Sequence, residues 1–167
     1  KDGNHTVGAM KYTFANQTEK DFAFYKTLPI CREVVFEGAE PILLCHGSTE
    51  RNNQKMLPDD AETKRIMEEC ACKDILCGHT HGQMTLEHAD KVLWNPGAVG
   101  VPKHSGGKTQ FMILHQKGMD WEPEFVSLEY EKDRILQELQ ECGLEQNAPY
   151  WTQITRHLLL TGEVTHG

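Results

Sequence analysis

No stretch of this 167-residue chain stays apolar for the roughly 20 residues that a bilayer-spanning helix needs. The N-terminus also lacks the basic, apolar and small-residue succession of a secretory signal. The expectation is therefore a soluble chain of cytoplasmic localisation, with no membrane to meet. Basic residues are short as well: 17 Lys and Arg stand against 25 Asp and Glu, a formal charge of −8. That balance excludes an extended nucleic-acid surface, which needs a broad positive field, although a bound dication can reverse the field locally. A disulfide framework is not expected either. The six cysteines, at 31, 45, 70, 72, 77 and 142, fall partly inside apolar runs, where a free thiol behaves as a small buried hydrophobe. Internal repeats and low-complexity tracts are absent, and the length suits one domain with a sizeable core over residues 1–167.

The apolar residues that are present come in short runs. Glu19 to Leu28 carries Phe22, Phe24, Tyr25 and Leu28 at helix-compatible spacing and stops at Pro29. Strands are predicted at Arg32 to Phe36 and Pro41 to Cys45, joined by a turn at Glu37 to Glu40. Gly47 to Pro58 is polar and aperiodic, as a surface loop at a site mouth would be. A helix follows Asp59-Asp60 and ends near Cys72, with Ala61, Ile66, Met67 and Cys70 as its buried stripe. Further strands are expected at Asp74 to Cys77, Gln83 to Leu86, Lys91 to Trp94, Thr109 to His115 and Glu124 to Tyr130. The last two read as a second sheet. Helices at about Lys132 to Cys142 and Pro149 to Leu160 close the chain, stopped by Gly143 and Gly162.

Three short signals punctuate these elements: Gly3-Asn4-His5, then His46-Gly47, then Gly78-His79-Thr80-His81. The second and third each end an apolar run that reads as a buried strand, and function in α/β folds sits at strand ends. Imidazole and carboxamide groups converging there suit a divalent transition metal, because neutral imidazole binds such ions well and oxygen donors complete the shell. Asn95-Pro96-Gly97 reads as a tight turn whose backbone can help position His79 and His81. A rival grouping of Cys70, Cys72 and Cys77 with His79 and His81 as a zinc knuckle is weaker, since zinc ribbons use a pair of Cys-x2-Cys knuckles. Arg51, Lys103 and the remaining histidines read as solvated surface groups.

In this order, Gly-Asn-His, His-Gly, Gly-His-x-His and Asn-Pro-Gly, the set resembles the calcineurin-like metallophosphoesterases, especially their small bacterial and archaeal members. The resemblance covers most of the chain. It implies an α/β fold, a four-layer α-β-β-α sandwich of two mixed sheets, of which this chain would hold the C-terminal two-thirds. It also implies a hydrolase with two divalent metal ions (Mn, Fe, Ni or Zn) that clamp a phosphate and activate water for in-line attack. By the family's pattern Asn4, His46 and His79 would bind the second metal, His81 the first, and His5 would stand by the leaving-group oxygen as catalytic residue.

Two departures shape the expectation. The family's Asp-x-His and Gly-Asp motifs, which supply the other ligands of the first metal, are absent from this sequence. Thr6 stands where the family has an acidic residue that could orient His5. The chain opens at Lys1 directly on a motif, so the reading is an N-terminally incomplete domain that associates with a missing segment or with a second copy. The implied function is metal-dependent hydrolysis of phosphomono- or phosphodiesters, with a phosphorylated small-molecule or nucleotide substrate. The alternative is a catalytically silent scaffold of the same fold that binds a protein partner.

Overall fold

Three short parallel strands build the centre of the larger of two compact units. In the computed structural model, which describes residues 4–101 and 103–164, with side chains described from residue 7 on, this unit comprises residues 29–102 and 109–128. Its first sheet takes β1 (Cys31–Val34), β2 (Ile42–Cys45), β3 (Asp74–Leu76), β4 (Gln83–His88) and β5 (Lys91–Pro96) in the order β1-β2-β3-β5-β4. The sheet is mixed: β2, β3 and β5 run parallel, and β1 and β4 are antiparallel edges. Register brings Ile75 between Leu43 and Leu93.

Parallel strands need a crossover, and between β2 and β3 it contains α3 (Ala61–Glu69). Asp60 caps this helix, its carboxylate accepting from the Glu62 amide at 2.9 Å, and thereby satisfies an orphan donor. Ile66 and Met67 point into a cluster with Met56, Ile75, Cys77 and Leu93, all essentially solvent-free. Burial pushes the Cys45 and Cys77 thiols up to about 12, where they stay protonated and unreactive at neutral pH. All six cysteines are free.

The second sheet is an antiparallel hairpin of β6 (Thr109–Lys117) and β7 (Asp120–Leu128), with Gly118 at φ 64° supplying the left-handed residue of a two-residue turn. Strand β7 starts earlier than the expected Glu124 because Pro123 is tolerated inside it. Each strand of a two-stranded sheet is an edge, so a missing N–H need break no ladder bond. Gln83 of β4 donates its amide to the carbonyls of Phe111 at 3.2 Å and Val126 at 3.1 Å, tying the first sheet to the hairpin. Between them lies an apolar groove of about 450 Å³, lined among others by Leu44, Leu76, Met112 and Leu114.

The other unit spans residues 1–28, 103–108 and 129–167, and its described residues are mostly helical. It holds α1 (Asn4–Ala15), α2 (Glu19–Tyr25), α4 (Lys132–Glu141), α5 (Leu144–Asn147) and α6 (Pro149–Thr161). Helix α1 was not expected, since Gly3-Asn4-His5 reads as a turn and Gly8 falls in mid-helix. The glycine has a packing reason: a Cβ there would collide with the Asn147 carbonyl. Thr18 and Asp21 form a reciprocal capping box on α2. Gly143 and Gly162 end α4 and α6 at φ 80° and 70°, as the sequence anticipates. No helix among the described residues is long and apolar enough to cross a membrane.

Asp74 is a buried acid at the start of β3 with one carboxylate oxygen lacking a partner. Burial raises its pKa; Lys73 opposes the shift, and Asp120 and Glu40 add to it. The sign follows from proton binding. From about pH 4 upward the unfolded chain loses this proton first, so stability falls as pH rises until the native Asp74 has ionised, and is level beyond that. Asp74→Asn is therefore expected to gain in melting temperature over the wild type between pH 3 and pH 7, with the gap widening as pH rises. A gap that stays constant across that range would show that Asp74 titrates normally.

Candidate metal centre

Two of the histidine signals lie on turns that leave strands. The His46 turn leaves β2, and the Gly78-His79-Thr80-His81 turn leaves β3 after the buried Cys77. The ladder continues past the strands. Cys77 N–H donates to the Trp94 carbonyl at 2.9 Å and Gly78 N–H to the His46 carbonyl at 2.8 Å, so the two turns run side by side. The Gly78 position is tight: a Cβ there would lie 3.3 Å from the His46 carbonyl oxygen and 3.7 Å from its Nδ1.

The outcome is a pair of imidazoles, His46 and His79, with ring centroids 5.4 Å apart and planes inclined by 67°. An edge-to-face ring contact has such dimensions. Two imidazoles on one zinc at about 2.0–2.1 Å with a tetrahedral angle place their centroids about 5 Å apart, so the ring separation is one that a shared divalent ion also allows. His46 is exposed and His79 half-buried, which leaves the pair open to solvent. His81, two residues on, directs its Nδ1 to the Val101 carbonyl at 3.0 Å. A carbonyl partner on one ring nitrogen fixes the orientation of the other, as it commonly does for imidazoles that bind metals.

The backbone of this turn is strained. His79 and His81 adopt φ of 63° and 65°, a left-handed conformation that costs a residue with a Cβ about 1–2 kcal/mol. Thr80 N–H bonds back to the Gly78 carbonyl at 2.7 Å, closing a tight ring about His79. Such strain persists where the surroundings over-determine it, and it concentrates at functional sites. Asn95 is part of those surroundings. It is wholly buried, and lies inside β5 and not in a loop as its Asn-Pro-Gly context suggests. Its Nδ2 donates to the Gly78 carbonyl at 2.7 Å and to Thr80 Oγ1 at 2.9 Å, while its Oδ1 accepts from Gly97 N–H at 3.0 Å.

Ser48 shapes the other turn. Fully buried, it receives the amides of Glu50 and Arg51 on its Oγ at 3.1 and 3.0 Å, and donates its own N–H to the Arg51 carbonyl at 2.9 Å. The loop expected to be a plain mouth segment is thus an ordered Ser-centred turn beside His46. The signal was the His-Gly-Ser succession, whose serine the sequence reading left aside.

Asn4 and His5 lie in the first turn of α1, and their side chains fall outside the described residues. The structure therefore brings together His46, His79 and the turn that carries His81. Among the described residues no three His, Cys, Asp or Glu side chains form a metal cluster by themselves. Cys70 and Cys72 do not join the histidines in one. Of the other histidines, His88 pairs with Glu68 at 2.6 Å and His115 with Glu124 at 2.7 Å.

Residues 2–119 match the model of the calcineurin-like phosphoesterase superfamily domain. No curated protein matches the chain. Among solved structures, a hypothetical protein of Pyrococcus horikoshii aligns at a TM-score of 0.76 and 20% identity over 99% of this chain and 63% of its own. A metallophosphoesterase of Sphaerobacter thermophilus aligns at 0.69 and 15% identity over 93% of this chain and 71% of its own. This chain thus spans under two-thirds of the archaeal protein's length. Both likenesses show the fold, and the expected α/β class with two sheets stands, the second of them a two-stranded antiparallel hairpin. With a family model matched over most of its length, this chain belongs to the calcineurin-like phosphoesterase superfamily.

Proposed function

We propose that this chain supplies the histidine half of a divalent-metal phosphoesterase site, acting on a phosphorylated small molecule or nucleotide. The observation that carries the reading is the His46–His79 pair, at a ring separation that suits one shared ion, on turns leaving parallel strands. In this reading His46 and His79 hold the ion, Asn4 adds its carboxamide oxygen, and His81 serves a second ion. An ion bound there supplies Lewis acidity toward a phosphoryl oxygen and toward the attacking water. The chain's own residues do the rest. The Val101 carbonyl sets the His81 ring, the Ser48 turn holds the segment that follows His46, and His5 donates a proton to the leaving-group oxygen. Six thiols without a disulfide suit a reducing compartment such as the cytoplasm.

Calorimetric titration with zinc and manganese, paired with turnover of a nitrophenyl phosphodiester, tests this. The 167-residue polypeptide should take up one ion per chain and turn over slowly, because only His81 of its residues is assigned to the second ion. Two tightly held ions with fast turnover would overturn that ligand assignment. Retained metal uptake with no turnover would favour a silent scaffold, and failure to bind either metal would remove the site altogether.

A further inference from the structure

The Gly78-His79-Thr80-His81 turn combines two left-handed histidines with an amide-to-carbonyl bond spanning only two residues. What spans it is the Asn95 carboxamide. One Nδ2 hydrogen takes the residue before His79, through the Gly78 carbonyl, and the other takes the residue after it, through Thr80 Oγ1. The third polar contact, from Gly97 N–H to Oδ1, fixes the amide plane, so the orientation of the carboxamide is determined from both ends. Nδ2 also lies 3.9 Å from Cys77 Sγ, beneath the turn. Because Asn95 is fully buried, water cannot replace these contacts if they are lost.

We propose that Asn95 is a positioning residue for metal binding: its side-chain amide clamps the turn on both sides of His79 and thereby sets the affinity of the site, without itself reaching the ion. The proposal rests on the reading of His46 and His79 as ligands. Carboxamides and carbonyls that orient ligating imidazoles are worth about 10–100-fold in affinity in metal sites generally, and here the clamp acts on the turn's backbone and not on the ring.

Asn95→Ala, Asn95→Asp, Thr80→Val and His46→Ala test the proposal by zinc titration at 10 °C, alongside Leu86→Ala as a core variant that is destabilised without touching the turn. The Asp variant keeps the acceptor for Gly97 N–H and loses the donor. Thr80→Val removes one clamp contact at little risk to folding. Zinc affinity should fall about 10–100-fold in Asn95→Ala and Asn95→Asp and about 3–10-fold in Thr80→Val, and remain within twofold of wild type in Leu86→Ala. In the metal-free proteins the backbone carbon shifts of His79 and His81 should move in the Asn95 and Thr80 variants and stay in place in Leu86→Ala.

Unchanged affinity in folded Asn95 variants, while His46→Ala loses binding, would overturn the proposal and spare the ligand reading. If the Asn95 variants fail to fold, unchanged affinity and shifts in Thr80→Val overturn it. A wild type that takes up no zinc, or a His46→Ala that binds as the wild type does, would overturn the ligand reading instead, and the metal-free shifts would still decide whether Asn95 holds the turn.

Discussion

His79→Ala and His46→Ala should each weaken zinc binding by more than about 100-fold, because groups that only orient a ligand already cost about 10–100-fold and these residues are the ligands of the proposed site. The paired substitution at position 79 separates chemistry from strain. His79 sits at φ 63°, a conformation that costs a Cβ-bearing residue about 1–2 kcal/mol and glycine almost nothing. Both His79→Ala and His79→Gly lose the imidazole, yet only the glycine variant relieves the backbone. The expected result is a His79→Gly protein that binds no better than His79→Ala and is about 1 kcal/mol more stable than it, read from urea unfolding in chelator. Equal stability of the two would show that the turn relaxes in solution, and retained zinc affinity in either would remove His79 from the site.

The largest effect on stability is expected at Ile75. Its side chain is fully buried at the middle of β3, in register with Leu43 on one side and Leu93 on the other, and it packs in the cluster with Ile66 and Met67 of α3. Ile75→Ala removes three carbons and leaves a cavity that close-packed neighbours fill only in part, at a cost of about 2–5 kcal/mol. That is a large share of the 5–15 kcal/mol or so that keeps a typical domain folded. Strand β3 is three residues long and leads directly into Cys77-Gly78-His79, so the same substitution should also loosen the histidine turn. Hydrogen exchange should show faster opening at the Cys77 and Gly78 amides, which bond to Trp94 and His46. Val35→Ala, at a residue that is 72% exposed, is the control and should change little. A loss below about 1 kcal/mol at Ile75 would mean that the core collapses to fill the gap.

Much of the fold was legible because its elements are short, strongly patterned and bounded by glycine, proline or a capping acid. The apolar runs at 42–45 and 74–76 cannot be amphipathic helices, so they read as buried strands, and the Asp60 cap and the Gly143 and Gly162 stops are local chemistry. Helix α1 was missed because its first turn carries a motif that reads as a loop and Gly8 lowers its helix propensity. The close approach of the Asn147 carbonyl, distant in sequence, is what makes that glycine fit. Helix α5, at four residues, is too brief to show periodicity.

The histidines show the same division. Which residue types bind, and that they stand at strand ends, follow from the sequence alone, since a glycine-flanked imidazole after an apolar run is a local pattern. That His46 and His79 face one another, that His79 and His81 are held left-handed, and that Asn95 grips the turn between them were decided only by the tertiary structure. Each of these depends on β3 lying between β2 and β5. Strand order is set by hydrogen bonds and packing between segments far apart in the chain, and no window of sequence contains both partners.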